Sequence, residues 1–239
     1  MKILSIGNSF SQDAQRYIHK LAALNGDYVK TVNLYIGGCS LRQHYFNMLE
    51  NAKKYEFQFN GEGTGLPVTV KDALMSDSWD YVTLQQASHY STKWETYEPY
   101  LPKIAEYVKL YAPQAKILIH QTWQYDEKLL LERKMGNTVA DMREAIKEAY
   151  LKAAKLINAD GIITSGELIA ALIKNGIPEP HRDGYHLSRG AGRLAVGLLW
   201  YSYLTEKNPA ELLIPETDVP VTEEEIKIIR KSVAEVMSK

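Results

Sequence analysis

Ser9 stands in Gly7-Asn8-Ser9-Phe10-Ser11, and Asp183 and His186 stand three residues apart in Asp183-Gly184-Tyr185-His186-Leu187-Ser188. A serine hydroxyl is a weak nucleophile until an imidazole takes its proton, and a carboxylate on the other ring nitrogen orients that imidazole. An Asp and a His at this spacing on one turn can meet in that way, which leaves the second nitrogen facing outward as a base. The run Lys2–Ile6 ahead of Gly7 reads as a strand. Ser9 then opens a helix at the strand's carboxyl end, where its backbone N–H is unpaired and the helix dipole favours negative charge. A developing oxyanion would be stabilised there. Taken singly, each motif also has an ordinary reading: Ser9 or Ser11 as a helix N-cap, and Asp183 as a turn residue.

Other residues fall at comparable places. Gly37-Gly38 ends the second apolar run and opens the next helix, where glycine lets the backbone approach a ligand closely and aim an N–H at it, or simply makes a tight turn. The third run ends in Leu84-Gln85-Gln86-Ala87-Ser88. A glutamine N–H there is a further oxyanion donor, Gln86 being preferred to Gln85. Trp123 and Tyr125, after the fourth run, offer rings that stack on a sugar or an aryl ester, or pack in the core. Cys39 has no base beside it and reads as a small packing residue, and His181 reads as a surface loop histidine.

These residues need elements to carry them. Five β-rich runs, Lys2–Ile6, Val29–Tyr35, Tyr81–Gln85, Lys116–His120 and Gly161–Thr164, alternate with segments of helical spacing. Helices are expected near Asp13–Leu24, Leu41–Lys54, Tyr97–Tyr111, Thr138–Ile157, Glu167–Asn175, Arg189–Glu206 and Glu223–Met237. Alternation with crossover helices implies a parallel sheet covered on both faces, an α/β three-layer α/β/α sandwich with five strands. Ligands bind such sheets beyond the carboxyl ends of the strands, where the residues above fall. Phe57–Pro67, with three glycines and a proline, reads as a loop, and Ile214–Val221 as the connection to the last helix.

In order and spacing these motifs resemble the SGNH/GDSL-type hydrolases over nearly the whole chain. Gly7-Asn8-Ser9-Phe10-Ser11 resembles their first block with Asn in place of Asp, Gly38 the glycine of the second, and Asp183-x-x-His186 the fifth. The resemblance implies a flavodoxin-like sheet of order 2-1-3-4-5, with Ser9 as nucleophile, His186 as base and Asp183 as its orienter. The N–H groups of Ser9 and Gly38 would form part of the oxyanion hole. The third block departs: where the family carries Gly-x-Asn-Asp, this chain has Gln85-Gln86-Ala87-Ser88-His89, as in a divergent, uncharacterised branch.

Composition narrows the partners. The 239 residues, 45% hydrophobic, suit one SGNH-like domain over 1–239, since halving the chain would leave two thin cores. A net charge of -1 supplies no field for nucleic acid or an anionic membrane, so a small-molecule or carbohydrate ester is the expected partner. A single cysteine excludes an internal disulfide framework and a Cys-based metal cluster, no phosphate-binding glycine loop is present, and the triad chemistry requires no metal or cofactor. No segment approaches the ~20 apolar residues of a membrane span, and the expectation is a soluble, cytoplasmic protein. The expected activity is hydrolysis of a short-chain, acetyl-type ester through an acyl-enzyme. The alternatives are a lipase- or thioesterase-type acyl hydrolase and a carbohydrate-binding protein that keeps the scaffold with little turnover.

Overall fold

The computed structural model describes residues 1–238; Lys239, the last residue of the expected 1–239 domain, lies outside the described residues. In chain order the elements are β1 (Lys2–Gly7), α1 (Ser9–Gln15), α2 (Ile18–Leu24), β2 (Lys30–Tyr35), α3 (Leu41–Leu49), β3 (Tyr55–Phe59), β4 (Glu62–Val68), α4 (Val70–Met75), β5 (Tyr81–Leu84), α5 (Tyr100–Tyr111), β6 (Lys116–His120), α6 (Glu127–Glu132), α7 (Val139–Ile157), β7 (Gly161–Ile163), α8 (Ser165–Asn175), α9 (Ala191–Thr205) and α10 (Glu223–Met237).

The first strand is apolar nearly throughout because both its faces are covered, and it pairs in parallel with β2 on one side and β5 on the other. One face packs Ile3, Leu118 and Ile163 against α1, α2, α8, α9 and α10. The other packs Leu4, Ile6, Val32, Leu34, Val82 and Leu84 against α3, α4, α5 and α7. The architecture is therefore the three-layer α/β/α sandwich, with a mostly parallel sheet between two helical layers.

The sheet itself differs from the expectation of five strands in order 2-1-3-4-5. It has seven, in order β4-β3-β2-β1-β5-β6-β7, because an antiparallel hairpin extends the β2 edge. That hairpin occupies most of Phe57–Pro67, which reads as loop in the sequence. Its glycines and Pro67 mask the strand pattern, and the ladder is irregular, with a register shift between Glu56 and Gln58.

The expected helix over Asp13–Leu24 is two helices. Chain direction changes at Arg16–Tyr17, and α1 begins already at Ser9, capped by the Asn8 side chain on the Phe10 N–H. This is the helix that Ser9 is expected to open; apolar spacing alone marks only the part beyond Asp13. At α7 and α10, which open on capping boxes, Thr138 with Asp141 and Thr222 with Glu225, the boundaries agree closely, whereas the short α4 and α6, capped by Thr69 and Asp126, are absent from the expected helices. None of the described helices is long and apolar enough to cross a membrane.

Candidate active site

At the carboxyl end of β1 the chain turns directly into α1, and Gly7 is what permits the turn: a Cβ there would lie 1.8 Å from Ser11 Oγ. Ser9 becomes the first residue of α1, half-buried, with Phe10 beneath it in the core. The loop from Pro180 to Ser188 brings the other motif to the same place. Ser9 Oγ donates to His186 Nε2 at 2.9 Å, and His186 Nδ1 donates to Asp183 Oδ2 at 2.7 Å. Residues separated by 177 positions thus form one proton relay.

The carboxylate end of the relay is built locally. Asp183 Oδ1 also accepts the backbone N–H of His186 at 2.8 Å, so one side chain fixes both the turn and the ring. Burial pushes the Asp183 carboxyl upward, but hydrogen bonds from the His186 ring and from the N–H groups of His186 and Tyr185 outweigh it and hold the group below its ordinary value. It therefore stays charged beside the imidazole.

A second carboxylate locks the loop from below. Asp13, fully buried on α1, accepts from Arg182 Nη1 at 3.0 Å, from Arg193 Nε at 2.7 Å and from the Leu187 N–H at 2.9 Å. Its partners Arg182 and Leu187 bracket Asp183 and His186. Because Ser9 and Asp13 are four residues apart on one helix, the helix that presents the Ser9 hydroxyl also anchors the loop that presents His186.

Above the relay opens a cleft of about 310 Å³, whose walls include Ser9, Gly38, Ser88, Tyr125, Arg133 and His186. The Ser9 and Gly38 N–H groups take no hydrogen-bond partner among the described residues and both belong to this cleft. Gly38 has φ +63°, which favours glycine, and the turn after β2 that it makes lines the same cleft as Ser9. Asn8 ties the two turns together, its Nδ2 donating to the Cys39 carbonyl at 3.2 Å. An aspartate at this position could not make that bond.

The glutamines of the third block do not reach the cleft. Gln86 Oε1 accepts from the Leu41 and Ala87 N–H groups, and its Nε2 donates to Thr96. Gln85 lies under the nucleophile turn, donating to Asn8 Oδ1 at 2.8 Å and accepting from Ser11 Oγ at 2.5 Å and His120 Nδ1 at 2.8 Å. Both side chains are committed to the framework, so the expectation of a Gln86 or Gln85 oxyanion donor is corrected; the residues of this block that line the cleft are Ser88 and His89.

Trp123 is likewise placed away from substrate. It is 0% exposed, stacked on Phe10 with centroids 4.3 Å apart, and its indole N–H donates to the Tyr185 carbonyl at 2.6 Å. It supports the relay from beneath and cannot stack on a sugar. Tyr125 does face the cleft, with its hydroxyl bonded to Ser88 Oγ at 2.9 Å. His181, expected at the surface, is largely buried and bridges to Leu187, and burial lowers its pKa to about 4. Cys39 is buried beside His44 and Tyr55, and burial pushes its thiol up to about 12, which suits packing. Among the described residues no group of acidic, histidine or cysteine side chains is arranged to hold a metal ion.

An α/β/α sandwich with a serine, a histidine and an aspartate joined at the carboxyl end of its first strand is the arrangement that the resemblance to the SGNH/GDSL-type hydrolases implies. Residues 2–225 match the model of the family described as Domain of unknown function (DUF4886), and the chain belongs to that family. A DUF4886 family protein from Bacteroides uniformis ATCC 8492 is 31% identical and superposes with a TM-score of 0.90 over 100% of this chain and 95% of its own. A candidate SGNH hydrolase from Slackia heliotrinireducens is 26% identical, with a TM-score of 0.60 over 85% of this chain and 98% of its own. An acetyl xylan esterase, 15% identical, shares the fold with a TM-score of 0.53 over 86% of this chain and 99% of its own. No curated protein matches the chain significantly.

Proposed function

We propose that the protein is a serine hydrolase that cleaves a short-chain carboxylic ester, acetyl for preference, carried on a carbohydrate or a related small molecule. The observation that carries this reading is the continuous relay from Ser9 Oγ through His186 to Asp183, at 2.9 and 2.7 Å. In it Ser9 Oγ attacks the ester carbonyl and passes its proton to His186 Nε2. Negative charge collects on the carbonyl oxygen, where the free N–H groups of Ser9 and Gly38 and the amino end of α1 oppose it. His186 then protonates the departing alcohol, leaving an acyl-enzyme on Ser9. Water, deprotonated by the same imidazole, releases the acid and restores the serine.

The small cleft supports short acyl groups, and its tyrosines support a polar alcohol part. The acetyl preference also draws on the acetyl xylan esterase that shares the fold. One observation favours slower turnover, namely that neither third-block glutamine presents an oxyanion donor; one missing donor costs about 100- to 1000-fold elsewhere. A sugar-binding protein on this scaffold is the second reading, and a lipase- or thioesterase-type hydrolase the third.

Hydrolysis of p-nitrophenyl acetate by the protein and by Ser9→Ala, with mass spectrometry after a fluorophosphonate probe, separates these readings. Adduct on Ser9 and activity lost in the variant support the hydrolase, and a chain-length series then sorts esterase from lipase. No adduct and no hydrolysis, with sugar binding undiminished in Ser9→Ala, support the binding protein.

A further inference from the structure

The cleft carries one unopposed positive charge. Arg133 follows the last turn of α6, its backbone N–H donating to the Leu129 carbonyl at 2.9 Å, and its guanidinium lies 5.0 Å from the Tyr125 ring centroid and 5.1 Å from that of Tyr185. The Tyr185 ring in turn lies 3.9 Å from that of His186. Cation, aromatic ring and base form a row along one wall. The guanidinium also lends a hydrogen bond to the Tyr125 hydroxyl, and its remaining N–H groups, of five in all, are those that could meet an acceptor such as a carboxylate. Arg133 makes no ion pair among the described residues: the neighbouring Glu132 pairs with Lys128, and Asp126 caps the Leu129 N–H. None of the residues lining the cleft is acidic. Lys93, resting on the Tyr90 ring, has no carboxylate partner among the described residues either. After burial, the charges of Lys93 and Arg133 act in the same direction to lower the pKa of the cleft residue His89.

We propose that the cleft selects esters bearing a carboxylate or another single anionic group, which Arg133 binds from the wall while Ser9 attacks the carbonyl. This rests on the ester-hydrolase reading and narrows its substrate class from neutral to acidic esters. Asp183, the carboxylate bonded to His186, does not line the cleft.

Two matched pairs test it: p-nitrophenyl acetate against mono-p-nitrophenyl succinate, and acetylated methyl glucoside against the acetylated glucuronate. The protein is expected to favour the acidic member of at least one pair in kcat/KM by about tenfold at low salt, chiefly through KM, with the preference shrinking as salt is added. Arg133→Gln should bring that ratio close to one, and Arg133→Lys, which keeps charge without the fork, should retain part of it. Neutral members preferred in both pairs, or a ratio unchanged in Arg133→Gln, overturns the proposal. If none of the four esters is hydrolysed, the hydrolase reading fails, and calorimetric titration with succinate and glucuronate still decides the anion site. Binding that weakens several-fold in Arg133→Gln upholds it; no binding overturns it.

Discussion

Asn8 is where three parts of the site meet. Its side-chain oxygen accepts from the Phe10 N–H and Gln85, and its nitrogen donates to Cys39. Gln85 is the hinge of this buried network, and Gln85→Ala removes one hydrogen-bond partner each from Asn8, Ser11 and His120. A loss of about 1–3 kcal/mol in unfolding free energy is expected, read by urea denaturation, with a fall in kcat as the nucleophile turn loosens. Asp183→Asn should leave the fold intact but remove the charge that orients His186, lowering kcat by about 10²–10⁴-fold in an ester assay. The smaller end of that range fits a carboxylate whose side chain is 44% exposed. That Ser9, Asp183 and His186 come together was legible in the sequence because an Asp-x-x-His turn and a serine at a strand end are short local patterns. Gln86 was not, because its bonds to Leu41 and Thr96 are set by how α3 and the chain ahead of α5 approach the end of β5, which spacing does not express.

At the scale of the element, α1 does two jobs in seven residues. It presents Ser9 at its first position and, one turn on, buries Asp13 against the loop that carries the base. Asp13→Asn leaves Arg182 and Arg193 without their buried counter-charge. It should destabilise the protein by about 3 kcal/mol in thermal or urea melts, at the low end for a broken buried pair because both arginines keep some solvent contact. If the clamp matters only for stability, kcat at a temperature well below the melt will match the parent; loosening of the Ser9–His186 geometry predicts a drop. No local pattern marks Asp13, whose partners lie 169 to 180 residues away. The alternation of strands and helices, in contrast, was legible from periodicity, since a doubly covered sheet demands apolar runs. The β3–β4 hairpin was not, since its outer strand is exposed and needs no apolar alternation.

For the whole molecule, buried histidines set the acid limit. Burial lowers His44 and His120 to about 3, whereas in the unfolded chain they titrate near 6.5. Below about pH 6.5 the unfolded state binds protons that the folded state refuses. Stability is therefore complete above that pH and declines as pH falls toward 3, by up to about 1.4 kcal/mol per pH unit for each histidine. Melting temperatures between pH 7 and 4.5 should trace this slope, and His44→Asn or His120→Gln should flatten it even if each is less stable at pH 7.

The same molecule has two sheet edges, and neither is a straight, open strand. At one, β7 offers three residues. At the other, β4 carries Pro67, which has no N–H to give, and interrupts its ladder around Gly65, which has φ +68°. A neighbouring chain seeking to add a strand finds no continuous row of donors and acceptors at either side. Strand addition at either edge is disfavoured, and the parallel core, flanked by these edges, is kept out of reach of sheet-to-sheet growth.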